Sequence, residues 1–329
     1  MRDIHQQLIL GLFAALSVGS AFLVAFLMPP QQIPGQHAAV ITAQSISVPD
    51  PFKNLVLEAQ AAIVVDQSRN QILFEKNADA QLPLASLSKL MTVLVADELL
   101  PEDSTVIIRS EDAKQSDNAP LRAGEEWRLK DLLDYTLIGS SNSGASALAG
   151  AAVATLQGTV EEAGEYGSQF SSPFLNRMNQ KAAKLGLSQT YFLNETGLDQ
   201  SIEIPGNSGS ARDMAKLLIH IVGSRPRLLE ATRYPEFSAA TLGNARHSVR
   251  NTDTALGNIP GLIGSKTGFT DLAGGNLAIA FDAGITRPII IVVLGSSQDG
   301  RFSDIENLVK TTLVCLAQSC RTAIATLNP

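Results

Sequence analysis

The sequence predicts an α/β fold, more narrowly α+β: a five-stranded antiparallel sheet flanked by helices, with a mainly helical subdomain inserted between its early and late strands. Three observations carry this expectation. Short apolar runs of strand length, AAIVV and QILFE, begin at residue 61 and are separated by the turn-like DQSRN. Helical periodicity then dominates residues 125 to 235. Strand patterns return in GLIGSKTGF, GNLAIAFDAG and RPIIIVVLGSS.

The chain has 329 residues, 45% of them hydrophobic, enough for a sizeable core. Its formal charge is −7, and basic residues form no block interleaved with aromatics, so a nucleic-acid partner is excluded. Residues 1–7 read as a cytoplasmic N-terminus, and residues 8–28 form 21 consecutive uncharged, mostly apolar residues, the length of a transmembrane helix. This run exceeds the usual apolar core of a cleavable signal and no A-x-A-like site follows it directly, which favours an uncleaved membrane anchor. Residues 29–57, rich in Gln, Pro, Ser and Ala, read as a linker, and 58–329 as the folded domain. The bulk of the chain is then expected outside the cytoplasm.

Along that domain, the first hairpin is followed by a helix from about Ser86 to Leu100, stopped by Pro101. WRLKDLLDYTLIG, SGASALAGAAVATL, FLNRMNQKAAKLG and ARDMAKLLIHIVG supply the central helices. After the late strands, Phe302, Ile305, Leu308, Val309 and Leu313 fall on one face of a last helix.

The chemistry begins in PLASLSKLMT, where Ser86 precedes Lys89 by three positions, the one serine in the chain with that spacing. On a helix these positions share a face, so a hydroxyl nucleophile has an amine base one turn away, although a capping serine gives the same pattern. A single K-T-G, Lys266-Thr267-Gly268, lies on a late strand. Three S-x-N triplets occur, at Ser68, Ser116 and Ser140. The first is the hairpin turn. The second, in EDAKQSDNAP, reads as a solvent loop. Ser140-Ser141-Asn142 interrupts two helical patterns, where packing on both sides fixes its side chains.

S-x-x-K, S-x-N and K-T-G in this order resemble the penicillin-recognising serine enzymes. LRAGEEWRLKDLLDYTLIGSSNSGASALA, FLNETGLD, SARDMAKLL and IGSKTGFTDLAGGNLA look like successive signatures of the low-molecular-mass D-alanyl-D-alanine carboxypeptidases, peptidase family S11, across residues 58 to 310. The resemblance implies a β-lactamase/transpeptidase-like fold and an extracytoplasmic enzyme of the bacterial cell membrane. Its substrate would be the peptidoglycan stem peptide, with β-lactams as covalent inhibitors and no cofactor. Ser86 would be the nucleophile and Lys89 its base, with Lys266 nearby to depress the lysine's pKa. Ser140 would pass a proton to the leaving D-alanine, Asn142 hold the substrate peptide group, and Lys266, Thr267 and Gly268 bind the terminal carboxylate and strand. The backbone amides of Ser86 and Phe269 would form the oxyanion hole.

Several points depart from the family or stay open. Ser143 follows Asn142 where the family often has Asp, residues 153 to 172 look longer than the usual link, and 61 residues follow Gly268, too few for the second β-rich domain of many members. A D,D-endopeptidase and a non-catalytic wall-peptide or penicillin receptor remain alternatives, while a class A β-lactamase would need an E-x-x-L-N motif that is absent. His247, with Arg250 and Asn251, precedes the third motif and fits either a solvated loop or a site wall. Cys315 and Cys320 could pair unless one helix runs through both.

Overall fold

The structure is a computed structural model that describes residues 50–117, 119–157, 172–318 and 325–327, all within one unit, Val48–Pro329. The expected anchor, residues 8–28, lies outside the described residues. No helix among the described residues is long and apolar enough to cross a membrane.

The chain opens with the expected antiparallel hairpin, β1 (Ala61–Asp66) and β2 (Gln71–Lys76), closed by Asn70 in a left-handed conformation. A short strand, β3 (Leu82–Pro83), leads through a 3-10 turn, Ala85–Ser88, into helix α1 (Lys89–Leu99). Strands β4 (Thr105–Ile107) and β5 (Glu126–Arg128) pair with each other and precede α2 (Leu129–Ile138), α3 (Asn142–Gln157) and α4 (Pro173–Lys184). Then come β6 (Tyr191–Phe192), β7 (Asn207–Gly209), α5 (Ala211–Ser224) and a second hairpin, β8 (Glu236–Ala240) with β9 (Arg246–Arg250). Three long strands, β10 (Leu262–Thr270), β11 (Gly274–Asp282) and β12 (Pro288–Ser296), are followed by α6 (Gly300–Ala317) and β13 (Ala325–Thr326).

The main sheet is antiparallel in the order β10-β11-β12-β1-β2-β13. It has six strands where five were expected, because a two-residue strand is too short to leave a period in the sequence. β1 and β12 lie in the middle with both faces covered, which is why AAIVV and IIIVVL run apolar without alternation. Their side chains still sort by period two. Ala61, Ile63, Val65, Ile290, Val292 and Leu294 join the core under the central helices, while Ala62, Val64, Ile289, Ile291 and Val293 join a second core under α6. The expected face of α6 is borne out: Ile305, Leu308 and Val309 are buried there, with Phe302 and Leu313 at its border.

The fold also includes the end of the stretch read as a linker. Phe52 and Leu57 are buried, and Phe52 stacks on Phe74 with ring centroids 5.3 Å apart. α6 stops at Ala317, so no described helix runs through both cysteines; Cys315 is disulfide-bonded, and Cys320 lies outside the described residues.

Candidate active site

β10 is an edge strand of the main sheet, and the turn carrying Ser86 packs against it. Glycine makes that approach possible. A Cβ on Gly268 would sit 3.0 Å from the Leu84 carbonyl oxygen and 3.1 Å from the Ser86 nitrogen, and one on Gly197, at φ +84°, only 2.0 Å from the Ala85 oxygen. Ala85 itself has φ 48°, an uncommon left-handed conformation for a residue with a side chain. The expected single helix from Ser86 is therefore a 3-10 turn followed by α1. Ser86 lies in the turn and Lys89 begins the helix.

Lys89 is fully buried, and its Nζ lies 2.9 Å from Ser86 Oγ, 2.6 Å from Asn142 Oδ1 and 2.7 Å from the Thr196 carbonyl oxygen. Burial lowers its pKa to about 7, against the opposing pull of the Asp117 and Glu195 carboxylates. The Thr196 carbonyl is held by an Asx turn in which Asn194 Oδ1 accepts from the backbone amides of Thr196 and Gly197. Thr92 Oγ1 ties the neighbouring Glu195 carbonyl to α1 at 2.7 Å.

Ser140 occupies the break between α2 and α3 at φ 56°, and its Oγ accepts from Lys266 Nζ at 2.9 Å. The capping role belongs to its neighbour: Ser141 Oγ accepts from the Gly144 amide at 3.1 Å, which frees Ser140 to face the lysine. Asn142 is already engaged on both sides, since its Nδ2 donates to the Ser116 carbonyl at 2.5 Å while its Oδ1 accepts from Lys89. This amide therefore orients Lys89.

The Lys266 amine is also buried, donating to Ser140 and to the Thr267 carbonyl at 2.8 Å. Its pKa falls well below the ordinary lysine value through burial, then through the charges of Lys89 and Arg301. The two amines thus lie close enough for their like charges to oppose each other, as expected, and that repulsion is one of the causes that lower Lys266. Thr267 Oγ1 and Thr252 Oγ1 lie 2.6 Å apart, and Arg301 Nη1 donates to the Gly268 carbonyl at 2.7 Å from the opposite side. Phe269 is 42% exposed at the end of the strand, and its backbone follows Gly268 past the Ser86 amide.

All seven side-chain and strand positions expected from the three motifs therefore meet in one place. The structure corrects the reading of EDAKQSDNAP as a solvent loop. Asp117 Oδ2 accepts from Ser141 Oγ and from the Ser143 amide, both at 2.7 Å, and Asp112 is buried against Ser146 and Arg109. His247 neither lines the site nor sits in a loop. It lies on β9, 2.9 Å from Glu125 Oε1, with its ring 5.0 Å from that of Trp127. Asp117, Thr252, Arg301 and the Thr196 carbonyl were not found by the motifs. Only FLNETGLD, as a stretch, pointed to the last of them.

Residues 47–298 match the family described as D-alanyl-D-alanine carboxypeptidase, peptidase S11. The chain is 33% identical to the Escherichia coli D-alanyl-D-alanine carboxypeptidase DacC over 91% of its own length and 68% of that protein's, and 28% identical to Bacillus subtilis DacF, of which it covers 62%. A D-alanyl-D-alanine endopeptidase of Pseudomonas aeruginosa is 32% identical, with 78% of each chain covered. Among solved structures, penicillin-binding protein D2 of Listeria monocytogenes in its ampicillin-bound form superposes with a TM-score of 0.62 at 30% identity, covering 78% of this chain and 98% of that one. The same penicillin-binding fold is shared with a Mycobacterium tuberculosis D-alanyl-D-alanine carboxypeptidase at a TM-score of 0.67 and 24% identity, over 82% of this chain and 95% of that one. On its family match and its identity to these relatives, the chain belongs to peptidase family S11, the D-alanyl-D-alanine carboxypeptidases.

Proposed function

We propose that this protein removes the terminal D-alanine from peptidoglycan stem pentapeptides through an acyl-enzyme on Ser86, and that β-lactams arrest it at the same step. The observation that carries the reading is the environment of the Lys89 amine. Two of its three neighbours, Asn142 Oδ1 and the Thr196 carbonyl, can only accept hydrogen bonds. A neutral Lys89 therefore points both N–H groups at them and its lone pair at the Ser86 hydroxyl. With its pKa near 7, that neutral form is present at physiological pH.

The steps follow from these contacts. Ser86 Oγ forms a bond to the penultimate D-alanine carbonyl carbon as its proton moves to Lys89. The oxyanion is met by the Ser86 and Phe269 amides. The C–N bond breaks as the leaving amine takes a proton through Ser140, which Lys266 holds in place. The substrate carboxylate, arriving at Lys266 and Thr267, favours the charged form of Lys266. Water then hydrolyses the acyl-enzyme, returning Ser86.

The test measures release of free D-alanine from a pentapeptide together with attachment of a labelled β-lactam to Ser86. Both should occur, and Ser86→Ala should abolish both. Labelling that survives in Ser86→Ala would sink the assignment. Acylation without D-alanine release would favour a receptor that stalls after the first step. The similarity to an endopeptidase over 78% of both chains supports a second reading, cleavage of cross-linked peptides, which the same assay resolves with a cross-linked dimer as substrate. We place the catalytic domain on the outer face of the bacterial membrane, supported by the uncharged, largely apolar run 8–28. Fractionation of the full chain into the soluble phase would count against this anchor.

A further inference from the structure

α3 carries no charged residue along Asn142–Gln157, so the helix that presents the second motif has no acid of its own at its positive end. The loop before β5 supplies one. Asp117 Oδ2 accepts from the Ser143 amide in the first turn of α3 and from Ser141 Oγ, both at 2.7 Å, and its Oδ1 accepts from the Ala119 amide at 3.0 Å. The adjoining Ser116 carbonyl accepts from Asn142 Nδ2, and Asn142 Oδ1 accepts from Lys89. A continuous path of contacts therefore runs from the 116–117 segment through Asn142 to the catalytic amine. We propose that Asp117 is a positioning residue for this reaction: it holds the second motif through α3 and sets, by its negative charge, the pH at which Lys89 takes the Ser86 proton. The proposal rests on the acyl-enzyme reading above.

The other charged groups around Lys89 act differently. Lys266 faces it from β10, its own pKa held well below the ordinary lysine value by burial and by the charges of Lys89 and Arg301, against Asp253. Glu195 faces it from the loop after β6, and its carboxylate raises the Lys89 pKa, as Asp117 does more strongly. Of the two carboxylates, only Asp117 is also bound to the motif that touches Lys89. Removing its charge disfavours the ammonium form of Lys89. The free base then persists to lower pH, and the acidic limb of the rate profile moves down.

Asp117→Asn keeps an acceptor for Ser141 and Ser143 and removes the charge. The rate of Ser86 acylation by a labelled β-lactam, followed from pH 5 to 9 in the full chain, reads the effect directly. The ratio of the rate at pH 5.5 to that at pH 8 should rise roughly three- to tenfold over wild type, the scale of one nearby charge. Asp117→Glu should return the ratio to the wild-type value. Asp117→Ser, which leaves room for water at the Ser143 amide, should give the same rise and decides the matter if the Asn variant does not fold. A folded, acylating neutral variant with an unchanged ratio overturns the proposal while leaving the acyl-enzyme intact. A wild-type protein that takes no label at Ser86 overturns the acyl-enzyme reading first.

Discussion

The pockets of Lys89 and Lys266 bury two amines equally and surround them oppositely. Around Lys89 stand two carbonyl acceptors and the carboxylates of Asp117 and Glu195; around Lys266 stand Lys89 and Arg301, with Asp253 as the opposing charge. Burial alone pushes both toward the neutral form. The neighbours then differ: acceptors and carboxylates surround Lys89, whose pKa lies near 7, whereas the charges of Lys89 and Arg301 add to burial in lowering Lys266. On the proposed mechanism the first serves as catalytic base and the second as anion receptor, two roles for identical side chains in different surroundings.

The largest effect that can break this comparison is loss of the Lys89 amine. Lys89→Met keeps most of the volume and removes the base, so acylation of Ser86 by a β-lactam should fall by about 10²–10⁴-fold. An unchanged rate would mean that another group takes the proton, and Lys266 would be the first suspect. The same substitution sharpens the argument through stability. In the unfolded chain the lysine stays protonated up to about 10.4, whereas in the folded protein it loses its proton near 7. Between those values the unfolded state holds the extra proton, so this residue's contribution makes the folded protein more stable as pH rises. At pH 7 the Met variant should therefore gain about 1–2 kcal/mol in unfolding free energy, and that gain should shrink toward pH 10. A loss of stability at both pH values would show that the hydrogen bonds of Lys89 outweigh the cost of burying it.

Lys266→Gln should act on a smaller scale and on a different substrate feature. Losing a charge-assisted contact to a carboxylate costs about 1.5–3 kcal/mol, or roughly 10–150-fold in reaction with a free-acid peptide. An amidated peptide has no carboxylate to lose and should escape most of that penalty. Losing the Lys266 charge also removes a repulsion between the two amines, so the Lys89 pKa should rise and the acidic limb shift to higher pH with both peptides. Equal slowing of both peptides would reduce Lys266 to a support for Ser140. An unchanged limb would show that Lys266 does not tune the base.

Which parts of this site are visible in the sequence follows from how each residue is placed. Ser86 and Lys89 are legible because one helical turn fixes their spacing, and Lys266, Thr267 and Gly268 because they are consecutive on a strand. Ser140 and Asn142 are legible only as a break between two periodic segments. Asp117, Thr252 and Arg301 reach the site from a loop, a strand end and the far side of the sheet, through contacts spanning many residues with no period to announce them. Asp117 is visible inside a literal S-D-N, yet the charges around it, Glu111, Asp112 and Lys114, give the stretch the look of a solvent loop. In the fold the same asymmetry appears: the buried runs of β1 and β12 are plain, while β13 and the left-handed Ala85 depend on partners distant in the chain.

The smallest effect tests how the Lys266 side of the site is held together. Thr252 joins the segment before Ser140 to the carboxylate strand. Its backbone amide donates to the Ile138 carbonyl at 3.2 Å, two residues before Ser140, and its hydroxyl lies 2.6 Å from that of Thr267. Thr252→Val retains the backbone contact and the shape and deletes only the hydroxyl. A neutral hydrogen bond is worth about 0.5–1.5 kcal/mol, so KM for a free-acid peptide should rise about 2–12-fold as Thr267 loses its orientation toward the carboxylate. The maximal rate and its pH dependence should hold, since no charge near Lys89 has changed. Thr252→Ser, which keeps the hydroxyl, should bind like wild type. If the Ser variant is instead as weak as the Val variant, the methyl group does the positioning, and the link between the second motif and the carboxylate site is one of packing.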